Sequence, residues 1–287
     1  KNSFIYDHAS FNIVNEILDN QIKPTPNKKY SNEEIRGILL NLSTEEFFQH
    51  YIDRKSYEEL PLLTSDGVVI PSKGLANTLN DPELINIVPL IAGSNRDEVK
   101  LWLGTAEYFV DLDYSMVGSL LNIPKVILKD EDSFEAFNYY RSTAWKIRGV
   151  DKPLNALHNA GNDNLYSYRY DWDDHRKYFI ADFKKLIGAA HATEIPLLAG
   201  DTKLVGGYPL SDLIYPPSFS KYYLSRNMMT FWTNFAKTGS PGKSTNSVNW
   251  KNFFHNEYPN SSYLILDNKK NLRMQSGANS LKSLSEE

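Results

Sequence analysis

Ile87-Val88-Pro89-Leu90-Ile91-Ala92, running directly into Gly93-Ser94-Asn95-Arg96-Asp97-Glu98, is the stretch on which the fold turns. The first six residues are uncharged and rich in branched side chains, and Gly93 bounds them. That pattern predicts a strand over 87–92 covered on both faces, as in a parallel sheet. Glu98 then follows the strand and a Gly turn. It stands at a strand's carboxyl end, where open α/β sheets gather their functional groups.

Working outward, Leu165 to Asp171 alternates and predicts another strand, and Tyr263 to Asp267 predicts a last short one. Residues 105–160 read as mainly helical, most clearly from Ser133 to Arg148, where Phe134, Phe137, Tyr140 and Trp145 recur at helical spacing. Residues 219–238 predict a helix carrying Met228, Met229, Phe231, Trp232 and Phe235, stopped by Gly239 and Pro241. Residues 1–60 also read as helical. Ser31 with Glu34 forms a capping box, Ser43-Thr44-Glu45-Glu46 opens a second helix, and Pro24, Pro26 and Asn27 mark a loop before them. Asp66-Gly67 predicts a tight turn in a short extended stretch over 61–73. The segment 172–218, rich in Asp, Gly and Pro, predicts long loops of the kind that carry site residues. Strands alternating with helices predict an α/β fold with a mainly parallel sheet flanked by helices.

Composition narrows the chemistry. The formal charge of −4 and scattered basic residues argue against nucleic acid as a partner. With no cysteine, disulfides, thiolate zinc sites and a thiol nucleophile are excluded. No apolar run reaches the roughly 20 residues needed to cross a bilayer. The expectation is a soluble protein of unassigned compartment, with a composition that suits a bacterial source.

Few residues can carry catalysis. Glu98 is one; its bland alternative is a surface carboxylate or a helix-cap partner. His191, in Gly188-Ala189-Ala190-His191-Ala192-Thr193-Glu194, is a candidate base, because small residues before it let the backbone pack closely. Its alternative is a hydrogen-bonded structural histidine, the reading kept for His8, His50, His158, His175 and His255. His191 and Glu194, three apart, could also be a metal pair, but there is no H-E-x-x-H and no second histidine nearby. Val205-Gly206-Gly207-Tyr208 lacks the ending of a phosphate loop. No serine stands in G-x-S-x-G, the strained turn that exposes the nucleophile of α/β-hydrolases.

Together these segments resemble the C-terminal half of the type-B carboxylesterase family, the group that includes cholinesterases and related fungal lipases. The match runs through Pro89 to Glu98, Tyr166 to Tyr170, Gly188 to Gly200, Ser225 to Met229 and, most specifically, Phe231-Trp232-Thr233-Asn234-Phe235-Ala236-Lys237-Thr238-Gly239-Ser240-Pro241. Trp250 and the strand ending at Asp267 also fit. The resemblance implies that residues 1–287 are the C-terminal portion of a single α/β-hydrolase domain. It implies Glu98 as triad acid, His191 as triad base and Glu194 as a buried supporting glutamate, with Asp97 not catalytic. Val99 replaces the glycine usual after the acid.

The same resemblance puts the serine and the oxyanion loop upstream of residue 1, together with any signal peptide. The expected activity is carboxylic ester hydrolysis without metal or organic cofactor, this segment alone being inactive. The expected partners are the ester and the N-terminal half of the domain. A half-sheet without that partner is expected to aggregate or to pair tightly with it. Aromatics at 101–120 and 208–223 are candidate pocket walls. Two other readings stand beside this one. The first is a non-catalytic cholinesterase-like interaction module, which has no use for the Glu98–His191 pair. The second is a metal-dependent hydrolase built on His191 and Glu194.

Overall fold

The computed structural model describes residues 12–20, 29–52, 67–114, 124–204, 210–245, 248–258 and 260–277. They form two compact units, Lys1–Leu84 and Ile85–Glu287. In the first, α1 (Asn32–Asn41) begins at the expected capping box. Ser31 Oγ accepts the Glu34 N–H at 3.2 Å, and Glu34 Oε2 accepts the Ser31 N–H at 2.8 Å. Helix α2 (Thr44–Ile52) repeats the device with Ser43 and Glu46, and it gathers Phe47, Phe48 and Tyr51 into mutual ring contact. The loop at Pro24 and Pro26, and residues 61–66 of the expected extended stretch, lie outside the described residues.

The remainder of that stretch corrects the expectation. Residues 67–70 bend rather than extend: Gly67 has φ of +77° and its N–H closes onto Ile70 O at 2.9 Å. Val68 and Val69 are consequently exposed. A local turn hydrogen bond has overridden the strand preference of branched residues.

The second unit is built on a four-stranded sheet ordered β1-β4-β5-β6. Strand β1 (Leu90–Asn95) pairs in parallel with β4 (Leu165–Tyr170), and β4 in parallel with β5 (Ser262–Leu266). Strand β6 (Arg273–Ser276), which the sequence did not announce, adds antiparallel to β5. The mainly parallel sheet flanked by helices is thus present. Strand β1 differs from its expectation in two ways. It starts after Pro89 rather than at Ile87, since proline offers no N–H to a ladder. Val88 O is instead taken by Asn162 Nδ2 at 2.9 Å, and Ile87 and Val88 are exposed. It is also half-buried along its first four residues rather than covered on both faces, being an edge strand among the described residues.

After β1 come the short α3 (Lys100–Leu103) and an antiparallel pair, β2 (Val110–Asp113) with β3 (Lys125–Leu128). That pair qualifies the mainly helical reading of 105–160, whose first part carries two short strands. Val110 is buried with Phe109 and Phe134, and Val126 and Leu128 pack on that cluster, so burial of alternate residues favours strands even over four positions. Helix α4 (Glu131–Lys146) starts where Asp130 Oδ1 accepts the Ser133 N–H at 3.1 Å. It continues through one π turn (Ile147–Asp151) into α5 (Lys152–Asn159). Lys146 Nζ meets Asp151 Oδ1 at 2.7 Å across that turn, a spacing of five residues that the wider helix brings into line. The long loop after β4 carries short helices, among them α6 (Ile195–Ala199).

Helix α7 (Phe219–Thr238) occupies the predicted span, with the Ser218 hydroxyl accepting the Lys221 N–H at its start and Gly239 at its end. Its buried Leu224, Met228 and Phe231 face Tyr166, Tyr170, Trp250, Leu264 and Leu266. Each such side chain, fully withdrawn from water, contributes about 1.5–3 kcal/mol, which makes this layer the main support of the strand ends. Trp250 Nε1 donates to Ser167 O at 3.1 Å, so this large core side chain leaves no polar atom stranded. No described helix is long and apolar enough to cross a membrane.

Candidate active site

Glu98 is placed by the end of β1. Gly93 lies opposite Tyr168 in the parallel register, and a Cβ there would stand 2.3 Å from the tyrosine ring. Only glycine lets that ring lie across the strand. Three residues on, the chain turns at 96–99 before α3. In this turn Glu98 is buried, its Oε1 accepting the Asn95 N–H at 2.8 Å. Its Oε2 lies 2.8 Å from His191 Nδ1.

His191 comes from the loop between β4 and α6. Two backbone hydrogen bonds draw that loop against the Glu98 turn: Asp97 N–H to Ala189 O at 3.0 Å, and His191 N–H to Glu98 O at 3.2 Å. Ala189 and Ala190 are fully buried, so their small size is what permits this approach. Asp97 Oδ2 also accepts the Ala189 N–H at 2.9 Å, and its Oδ1 accepts Asn138 Nδ2 at 2.7 Å. Gly188 has φ of +51°, and a Cβ there would fall 2.5 Å from Asp97 Oδ2. Ala192, directly after the histidine, holds φ of +65°. A positive φ on a residue with a Cβ costs of order 1–3 kcal/mol and persists where the surroundings over-determine it, as at functional sites.

The imidazole is the accessible partner of the pair: its side chain is 43% exposed against 6% for Glu98. With Nδ1 on the carboxylate, the tautomer assigned from the hydrogen bond carries its proton on Nδ1. Nε2 then keeps its lone pair, and it has no hydrogen-bond partner among the described residues. The Trp102 and Trp145 rings flank it at 5.3 and 5.4 Å, and both indoles are partly open to solvent. Trp102 falls within the stretch expected to supply pocket walls; Tyr215, from the other such stretch, is buried and donates to Thr193 O at 3.0 Å.

Burial pushes the Glu98 carboxyl above its ordinary range, against hydrogen bonds from Asn95 and His191 that favour ionisation; the charge of Glu194 raises it further. Burial also opposes ionisation of Asp97, but the charges of Arg96 and Lys100 and the hydrogen bonds from Arg96 and Ala189 hold it below the usual carboxylate range. Glu194 accepts a hydrogen bond from Asn95 Nδ2, a contact the sequence reading missed. Burial raises the Tyr168, Tyr170 and Tyr215 hydroxyls, and the Glu194 charge adds to it in each.

The structure therefore brings Glu98 and His191 together and sets Glu194 behind them. His191 and Glu194 turn to different partners rather than to a shared point, and no group of three metal-binding side chains converges among the described residues. His175 keeps the structural reading: its ring nitrogens reach Gly188 O at 2.8 Å and Ile214 O at 2.6 Å. Chemically, the arrangement is an oriented imidazole with one open nitrogen, backed by a buried carboxylate at the end of a parallel strand.

That fold is the α/β-hydrolase fold. A solved PNB esterase superposes with a TM-score of 0.58 at 18% identity, over 97% of this chain and 52% of that one. The carboxylesterase EST55 of Geobacillus stearothermophilus superposes with a TM-score of 0.56 at 17% identity, over 90% of this chain and 51% of that one. Residues 142–283 match the family model described as the carboxylesterase family, and the resemblance to type-B carboxylesterases holds. Carboxylesterase 1E of Mus musculus is 25% identical over 237 residues, 75% of this chain. Neuroligin-3 of Homo sapiens is 47% identical over 57 residues, which is 19% of this chain and 6% of that protein. The chain spans 40% of the length of the curated carboxylesterase it matches.

Proposed function

We propose that residues 1–287 are the acid- and base-bearing C-terminal portion of a single α/β-hydrolase domain that hydrolyses carboxylic esters through a Ser-Glu-His triad. The observation that carries this reading is the 2.8 Å contact between His191 Nδ1 and Glu98 Oε2 at the end of β1, with Nε2 left open. The 287 residues contain no G-x-S-x-G. On this reading the nucleophile and the oxyanion loop are supplied by a preceding segment of the domain, which is also the chain's partner.

In that assembly His191 Nε2 takes the serine proton as the hydroxyl attacks the ester carbonyl, then returns it to the departing alkoxide. A water, deprotonated by the same nitrogen, then attacks the acyl carbonyl; the bond to serine breaks, the acid is released and the serine oxygen recovers the proton from His191. Glu98 orients the ring and stabilises its cationic form without itself taking the proton. Backbone donors of the preceding segment hold the oxyanion; losing one costs about 100- to 1000-fold in kcat. Glu194 supports the base loop from behind. No step calls for a metal or an organic cofactor. Without the nucleophile, the present segment has no route through this chemistry.

Labelling with a serine-reactive fluorophosphonate, read by intact mass, tests the proposal. The expected result is a labelled species heavier than 32.9 kDa, or a labelled companion chain. A folded protein that includes the preceding segment and takes no label overturns it, and the non-catalytic interaction-module reading replaces it.

A further inference from the structure

Asn95 is the last residue of β1, three before the acid, and its side chain is buried. All three of its N–H hydrogens are engaged within the site. The backbone N–H goes to Glu98 Oε1 at 2.8 Å. The amide Nδ2 donates to Ala190 O at 2.7 Å and to Glu194 Oε2. The assignment of that amide follows from its surroundings: turned over, it would aim its carbonyl oxygen at a carbonyl and a carboxylate, with no proton between them.

From this geometry we infer that Asn95 is the positioning residue of the pair, setting how the His191 ring meets Glu98. Ala190 O is the carbonyl of the peptide that leads directly into His191, so the amide fixes the plane from which the imidazole projects. The same residue holds the other partner, because its backbone N–H fixes the carboxylate. The second amide hydrogen ties in Glu194 and so anchors the loop on the far side of the strained Ala192. Asp97 grips Ala189 two residues before the base. The Ala190–His191 peptide is held at its N–H by Glu98 O and at its carbonyl by Thr193, from within the loop, and by Asn95, whose amide is the side chain that ties that carbonyl to the acid segment. A buried network in which every donor is satisfied holds its members to one arrangement, and a network with one donor removed does not.

The inference rests on the triad reading for its meaning, but its test reads geometry alone. The experiment is imidazole 15N–1H spectroscopy of the intact domain, the 287 residues together with the preceding segment, above the histidine titration range. The downfield Nδ1–H signal of His191 reports the bond to Glu98. The Trp250 indole N–H, bonded to Ser167 O in the core, reports the fold. Asn95→Ala is expected to abolish the Nδ1–H signal or reduce it to a minor fraction and to let the Nε2–H tautomer appear, while the Trp250 signal stays. Asn95→Asp is expected to abolish it outright, since a carboxylate cannot donate to Ala190 O and faces Glu194. If Asn95→Asp unfolds, Asn95→Ala decides alone, because it removes the donors without adding charge. Glu194→Gln, which keeps an oxygen for the Asn95 amide, is expected to retain the signal.

An unchanged Nδ1–H signal in folded Asn95→Ala overturns the inference. So does its loss in Glu194→Gln with retention in Asn95→Ala, which would transfer the role to the Glu194 charge. Absence of fluorophosphonate labelling would remove the triad reading without touching either result.

Discussion

Glu98 with His191 and Asp151 with Lys146 are both buried carboxylates, each held by one basic side chain at hydrogen-bond distance. The carboxyl is pushed upward by burial in both. The difference lies in the partner. Lys146 is as deeply buried as Asp151, lies 4.5 Å over the Tyr263 ring, and has its own proton affinity lowered by burial. His191 instead stands half in solvent, with a free nitrogen beside two exposed indoles. A pair closed on both sides can only hold a structure together, here one π turn of a helix. A pair closed on one side can exchange a proton with something outside.

The comparison predicts opposite losses when the basic partner is removed. The largest effect is on chemistry. On the proposed function, His191→Ala in the intact domain is expected to lower kcat on the order of 10⁴-fold or more, measured by ester hydrolysis against the parent. The melting transition is expected to stay cooperative. A variant that loses less than tenfold would mean that the open pair is no more functional than the closed one.

The next effect is on stability. Lys146→Met strips the partner from a carboxylate with no route to water. Breaking a buried pair from one side costs about 3–5 kcal/mol, read here from urea unfolding. The paired substitution Lys146→Met with Asp151→Leu is expected to recover most of that loss, because no charge is left behind. If the single variant melts like the parent, water reaches Asp151 and the contrast with Glu98 disappears.

The two pairs also differed in how visible they were beforehand. Glu98 and His191 could be picked out because each stands in a segment whose small residues and strand ending have a family pattern. Helix α7 and strands β4 and β5 were legible for a simpler reason: periodicity, capping and a glycine stop are local. The capping boxes at Ser31 and Ser43 were legible on the same grounds. What escaped the sequence depends on distant partners. Asn95 finds Ala190 and Glu194 some 95 residues away, and Trp145 reaches His191 from a helix that reads as ordinary amphipathic packing. Strands β2 and β3 are four residues each, too short for a period to declare itself, and they are stabilised by Phe109 and Phe134 from flanking elements. The misplaced start of β1 had a local cause, the absent N–H of Pro89.

The smallest predicted effect separates burial from hydrogen bonding at Glu98. A carboxyl whose folded pKa is raised binds a proton in the folded state at pH values where the unfolded chain has already released it. Its contribution to stability is therefore present below the unfolded value and is lost as pH rises through the folded one. Asp97 has the opposite sign: its contribution is present above the unfolded value and is lost as pH falls through a depressed folded one. Glu98→Gln removes only the first dependence. In urea melts at intervals upward from about pH 4, the usual carboxylate range, the parent is expected to lose stability relative to Glu98→Gln and then to level off. A parent that gains on the variant over that window would mean that the Asn95 N–H and the His191 ring outweigh burial, leaving Glu98 ionised more readily than a free glutamate. The open pair would then be held mainly by its hydrogen bonds, whereas Asp151 would remain dominated by burial, and the contrast between the two would extend from the partner to the carboxylate itself.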